Sequence, residues 1–250
     1  MRFLFSLLAV FLINPSHANK VHVAVSANFA APMKQISAAF QQTTGHTAVL
    51  SFGATAKFYA QIKNGAPFDI FLAADQTTPD QLARERLAIP DSQFTYATGK
   101  LVLWSATPNV VDSQGAVLRR EDFAHIAMAS PQAPYGVAAR QTLMALNLFN
   151  ALSPKIVQGE SIGQAYSFVA SGNAELGFVA LSQVWKAEQM SNKMKSGSAW
   201  IVPQSLYTPL RQDAILLQSG ADNLAASALL AYLKSENAKK IIRSYGYTFP

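Results

Sequence analysis

The chain has no cysteine. Disulfide staples, thiolate metal sites and a thiol nucleophile are excluded at once, and stability has to rest on a core. Charge is also sparse. Asp, Glu, Lys and Arg make up 14% of 250 residues with no long run of one sign, so a disordered, self-repelling chain is excluded. The net charge of +6 would suit nucleic acid, but Lys and Arg are scattered and the aromatics do not interleave with them as a stacking platform requires. No nucleic-acid partner is expected. Histidine is rare, and His17, His22, His46 and His125 are scattered singly along the chain, so a His-based metal centre is not expected. Gly-x-Ser-x-Gly, Walker and Gly-x-Gly-x-x-Gly motifs are absent, which makes an enzyme the weaker class.

What is present begins with a separable leader. Arg2, an apolar run from Phe3 to Ile13 and Ser16-His17-Ala18 read as a signal peptide over residues 1–18, with cleavage after Ala18. The apolar run is too short for a stable bilayer span, and no cysteine follows it to take a lipid anchor. A periplasmic location is expected.

Beyond the leader, the β-branched run Val23-Ala24-Val25 stops at Ser26-Ala27-Asn28, and Met33, Ile36 and Phe40 then recur at helical spacing. Val49-Leu50-Ser51-Phe52, Gly53-Ala54-Thr55 and an amphipathic run through Phe58 and Ile62 repeat that pattern. Each unit reads as strand, tight turn, helix, and such a turn presents unpaired helix N–H groups to an anion. Strands are expected at Phe68–Ala73, Leu101–Trp104, Ile126–Ala129, Lys155–Val157, Leu176–Ala180, Trp200–Val202 and Gln212–Leu217. Helices are expected from Thr78, as N-cap before Pro79, at Val137–Leu146, after Ser161, at Leu181–Met190, and at Asn223–Leu233 and Glu236–Tyr245. Gly246 stands where a helix C-terminus favours glycine. Ser130–Gly136 reads as a turn-rich loop and Ser191–Ser198 as a polar connection.

Nearly continuous apolar strands alternating with helices argue for α/β architecture with parallel sheets covered on both faces. Two lobes are expected, residues 19–97 plus 212–250 and residues 98–211, with crossings near Tyr96–Lys100 and Pro209–Asp213. Asn28 and Thr55 suit helix N-caps, and the same residues suit an oxyanion seat. Tyr135 reads as a packing anchor or a ligand-facing residue. Asp69 and Asp75 flank a strand end as caps, hinge residues or an acid–base pair.

Several segments taken together make the resemblance specific. They are Ser26-Ala27-Asn28-Phe29, Ser51-Phe52-Gly53-Ala54-Thr55, the stretch from Asn64 to Asp75, Ala133-Pro134-Tyr135-Gly136, Glu160-Ser161-Ile162, Gly172 to Val179 and Tyr245-Gly246-Tyr247. The chain resembles the periplasmic molybdate-binding proteins of bacterial ABC importers over nearly all its mature length. That resemblance implies a type II two-lobe clamp that is not an enzyme and uses no cofactor. Its ligand would be molybdate or tungstate, held through the oxygens with no direct metal ligand. It also implies a membrane permease with its ATPase as partner; a monomer is expected. By position it implies binding through Asn28, Ala27, Thr55, Tyr135 and Ile162. Many members carry a tyrosine where Ala180 stands, and the two amide donors of Asn28 are the candidate replacement. A sulfate-type binder and an exported hydrolase using Asp69 or Asp75 are the alternatives.

Overall fold

The computed structural model describes residues 19–185 and 197–250. The expected signal segment 1–18, the end of the helix expected over Leu181–Met190 and most of the polar stretch at Ser191–Ser198 lie outside the described residues.

β1 (Lys20–Ser26) runs through a 3-10 turn at Ala27–Phe29 into α1 (Ala30–Thr44). β2 (Thr47–Gly53) leads into α2 (Thr55–Lys63), followed by β3 (Ile70–Leu72), α3 (Thr77–Arg84) and β4 (Phe94–Gly99). Lys100 alone separates β4 from β5 (Leu101–Ser105), where a second body begins. It continues through α4 (Val117–Arg120), β6 (Ile126–Ala129), α5 (Pro134–Ala145), α6 (Phe149–Leu152), β7 (Ile156–Gly159), α7 (Ile162–Ala170), β8 (Leu176–Ala180), α8 (Leu181–Val184) and β9 (Ser198–Ile201). The chain returns as β10 (Leu210–Leu216) and ends in α9 (Leu224–Leu233) and α10 (Glu236–Ser244). None of the described helices is long and apolar enough to cross a membrane.

Two five-stranded sheets result, ordered β2-β1-β3-β10-β4 and β7-β6-β8-β5-β9. They are mixed, which corrects the expectation of purely parallel sheets. β1 runs parallel to β2 and β3, and β6 to β7 and β8, but β10 is antiparallel to both its neighbours and so is β5. The reason lies in the crossings. A strand entering from the other body is not delivered by a helical crossover, so nothing obliges it to run parallel.

The apolar periodicities find their partners. Met33, Ile36 and Phe40 of α1 are fully buried against β1 and β3, joined by Leu229, Leu233 and Ile242 from the last two helices. Burial of side chains of this size stabilises by about 1.5–3 kcal/mol each. Phe29 packs edge-on to Tyr96 and Tyr247, with ring centroids 4.7 and 5.4 Å apart, which locks the first turn to β4 and to the C-terminus. Gly246 takes φ 81°, the left-handed conformation that closes α10.

Two helix starts differ from expectation. α3 begins at Thr77, and the carboxylate of Asp75 accepts the Thr78 N–H at 2.8 Å, so Asp75 performs the capping expected of Thr78. α5 begins at Pro134, three residues earlier than its apolar periodicity suggests, so Tyr135 lies in a first helical turn and not in a loop. Proline at the first helical position is well suited to that start, since its missing N–H would be unpaired there anyway.

Candidate functional site

The carboxyl ends of five parallel strands face one cleft between the sheets. Ser26, Ala27 and Asn28 line it after β1, Gly53, Ala54 and Thr55 after β2, and Ala74 after β3. From the other body come Ala133, Pro134 and Tyr135 after β6, and Ser161 and Ile162 after β7. The cleft has about 250 Å³ of empty space, part of it open to solvent, and none of its lining residues is charged.

Four of these positions open helices. Asn28 sits in the turn that starts α1, Thr55 is the first residue of α2, Tyr135 the second of α5 and Ile162 the first of α7. Their N–H groups precede the first intrahelical bonds, which are Phe58 N–H to Ala54 O at 3.1 Å, Val137 N–H to Ala133 O at 2.9 Å and Ala165 N–H to Ser161 O at 3.0 Å. These are the unpaired donors that every helix start leaves over. Each helix also directs the positive end of its dipole toward the cleft. The structure thus brings Ala27, Asn28, Thr55, Tyr135 and Ile162 together, two helix ends from each lobe.

Side chains arrange the rest. Thr55 does not cap α2; neither it nor Asn28 makes a capping hydrogen bond. Thr55 Oγ1 accepts the Ala74 N–H at 3.2 Å and lies 2.7 Å from Ser26 Oγ. If Ser26 donates to it, both lone pairs of Thr55 are used and its own proton is free for a ligand. Ser161 does cap α7, accepting the Gln164 N–H at 3.2 Å.

Asn28 departs from expectation. Its Nδ2 donates to Gln212 Oε1 at 2.7 Å and to the Tyr247 hydroxyl at 3.0 Å, so both amide protons are spent inside the protein, and Oδ1 is buried without a partner. In this arrangement its side chain offers no donor to replace a tyrosine at Ala180. Ala180 itself is fully buried, donates its N–H to Gln183 Oε1 at 2.9 Å and does not line the cleft.

Across the interlobe boundary, Ser182 Oγ donates to Asn28 O at 2.7 Å, and Tyr247 joins both through its hydroxyl. Gln212 Nε2 donates to the Tyr135 hydroxyl at 3.2 Å. Burial pushes the Tyr247 phenol up to about 12 and raises Tyr96 and Tyr135 well above their ordinary value. All three therefore stay neutral and can donate at any physiological pH. The hydrogen-bonding roles of Ser26, Gln212, Tyr247 and Ser182 are not among those the residues alone suggest. Gln212 carried a usable signal, because a polar side chain in a buried strand requires partners.

Neither candidate carboxylate lines the cleft. Asp69 accepts the His22 N–H at 2.6 Å and ties β1 to β3. Asp75 caps α3, and burial raises its pKa from the ordinary carboxylate value. Among the described residues no group of acidic or histidine side chains could hold a metal ion.

A hinged pair of α/β lobes with an uncharged, donor-lined cleft defines a solute-binding clamp. Residues 21–248 match the model of the bacterial extracellular solute-binding protein family, and the chain belongs to that family. It is 55% identical to the molybdate-binding protein ModA of Azotobacter vinelandii over 233 residues, 93% of this chain and 91% of the relative. With ModA of Rhodobacter capsulatus the figure is 51% over 234 residues, covering 93% and 90%. The solved A. vinelandii periplasmic molybdate-binding protein superposes with a TM-score of 0.88 at 42% identity, covering 92% of this chain and 99% of that one. Solute binding and not catalysis is the function this family carries, so the hydrolase alternative falls.

Proposed function

We propose that the cleft captures molybdate in the periplasm for an ABC importer, and that it also accepts tungstate. The observation that carries this reading is the convergence of four helix N-termini, two from each lobe, on a cleft without charge, in a chain 55% identical to a molybdate-binding protein. The backbone N–H groups of Asn28, Thr55, Tyr135 and Ile162 and the Thr55 hydroxyl are the holding groups, with Ala27 packed beside them. The metal is reached only through its oxygens, and no cofactor takes part. A dianion is stable in such a cleft because hydrogen bonds to a charged acceptor are stronger than neutral ones.

Selectivity follows from the same donors. Protonated phosphate would place an O–H against groups that cannot accept it, an unpaired donor that costs affinity. Sulfate satisfies the charge but is too small to touch every donor. Molybdate and tungstate are nearly equal in size, so the cleft takes both. The closed, loaded form is the one a permease with its ATPase would receive, and the protein is expected to act as a monomer exported by its cleavable leader.

Calorimetry with molybdate, tungstate, sulfate and phosphate tests the reading. Tight binding of the first two and weak or no binding of the others is expected, with a ligand-dependent rise in melting temperature. Tight sulfate binding with no molybdate binding would reassign the cleft to a smaller anion.

A further inference from the structure

Beneath the cleft the side-chain amides of Asn28 and Gln212 meet end to end among three buried phenols. Asn28 Nδ2 donates to Gln212 Oε1, which also lies 3.1 Å from the Tyr96 hydroxyl; that hydroxyl is 3.0 Å from Ala73 O. At its other end Gln212 Nε2 donates to Tyr135. This arrangement carries two faults. Asn28 Oδ1 is buried with nothing to accept from, and two acceptors compete for the single proton of Tyr96.

An amide turned end for end fills nearly the same space, with its donor and acceptor exchanged. Turning both amides over at the same heavy-atom positions ends the competition at Tyr96 and exchanges the unpaired Asn28 acceptor for an unpaired donor. Gln212 Nε2 then donates to Asn28 Oδ1 and to Tyr96, and Tyr96 gives its proton to Ala73 O. Tyr135 gives its proton to Gln212 Oε1, and Tyr247 gives its own to Asn28 Oδ1. Ser182 still donates to Asn28 O. One donor is left over, Asn28 Nδ2, on a residue that lines the cleft.

We propose that Gln212 is a positioning residue for oxyanion binding: its two-ended amide turns with that of Asn28, so that Asn28 Nδ2 faces the bound anion. The proposal rests on the reading of the cleft as a molybdate site. The anion supplies the acceptor that the freed Asn28 donor needs, so binding selects the turned pair. Gln212 lies on β10, where the chain has just returned from the second lobe, and it touches Asn28 of one lobe and Tyr135 of the other. The amide turn therefore links the first turn of α1 to the start of α5 across the hinge. Only glutamine, with a donor and an acceptor on one rigid plane, serves both ends.

The test uses the isotopically labelled full chain, with molybdate affinity measured by calorimetry. In the molybdate complex the Gln212 amide protons are expected to show NMR contacts to the Tyr96 ring, and the Asn28 amide protons to become slow to exchange. Gln212→Met is expected to bind molybdate roughly tenfold more weakly, the scale of a hydrogen bond to a charged group. Gln212 amide protons that remain on Tyr135 alone in the complex overturn the proposal, as does wild-type affinity in Gln212→Met. Should that variant fail to fold, the spectrum of the wild-type complex decides. A wild-type protein that gives no heat with molybdate overturns the reading of the cleft and this proposal with it. Binding without the amide turn overturns this proposal alone.

Discussion

In the lobe built on β1 to β4 and β10, the groups facing the cleft are tied to one another by side chains. Ser26 meets Thr55, Thr55 takes the Ala74 N–H, and Asn28 is held by Gln212 and Tyr247. The lobe built on β5 to β9 presents Tyr135 and Ile162 through the backbone alone, with the Tyr135 side chain turned into the core. Its geometry depends on close backbone approach. A Cβ on Gly136 would stand 2.0 Å from Ser130 O and 2.6 Å from Ala129 O, whereas one on Gly53 in the other lobe would meet only the Phe58 ring, at 3.2 Å. The first half-site is thus held by side-chain bonds between the groups that face the cleft, whereas the second leans on close main-chain packing, and they should fail in different ways.

The largest expected effect tests the second half-site. Gly136→Ala forces the start of α5 to shift and should cost about 3 kcal/mol of stability in thermal or denaturant unfolding, while Gly53→Ala should cost well under that. Equal losses from the two would erase the contrast between the lobes.

Next in size is ligand affinity. Thr55→Ala removes a hydroxyl from the first half-site and should weaken molybdate binding by about 1–3 kcal/mol. Tyr135→Phe keeps the backbone N–H and removes only the link to Gln212, so its loss should stay below about 1 kcal/mol. Calorimetry on the pair reverses the assignment of roles if Tyr135→Phe proves the more damaging.

The meeting of the lobes gives a smaller effect. Gly163 of α7 faces Ala27, and an added Cβ would lie 3.0 Å from the Ala27 Cβ. Parting the lobes slightly relieves that contact, so Gly163→Ala should weaken binding by about 1 kcal/mol and leave the melting temperature of the free protein nearly unchanged. A drop in that temperature would mean that the contact belongs to the core and not to closure.

Least of all should matter Lys57 and Glu160, which reach across the mouth of the cleft with N and O 3.8 Å apart, each well exposed to solvent. Lys57→Ala should change affinity by less than about 0.5 kcal/mol, and added salt should erase the difference.

Much of this was legible in the residues, for reasons that differ from place to place. The α1 stripe of Met33, Ile36 and Phe40 and the cap at Ser161 are local signals, carried by spacing and by residue type. The turns after β1 and β2 were visible because an apolar run breaks at small polar residues just before helical periodicity resumes. Proline marks a first helical turn and a loop equally well, so the residues around Tyr135 do not distinguish the two. Asn28 and Thr55 were expected to cap helices, yet both bond across the fold, to partners as distant in sequence as Gln212 and Ala74.

Read alone, the residues settle the class of architecture and the exclusion of thiol chemistry, since each follows from composition and short-range periodicity. The direction of β5 and β10, the meeting of four helix ends and the Asn28–Gln212 pair, 184 positions apart in the chain, follow from how the two crossings fold the strands back. Such contacts leave no periodic trace, because hydrogen-bond partners are chosen by proximity in space.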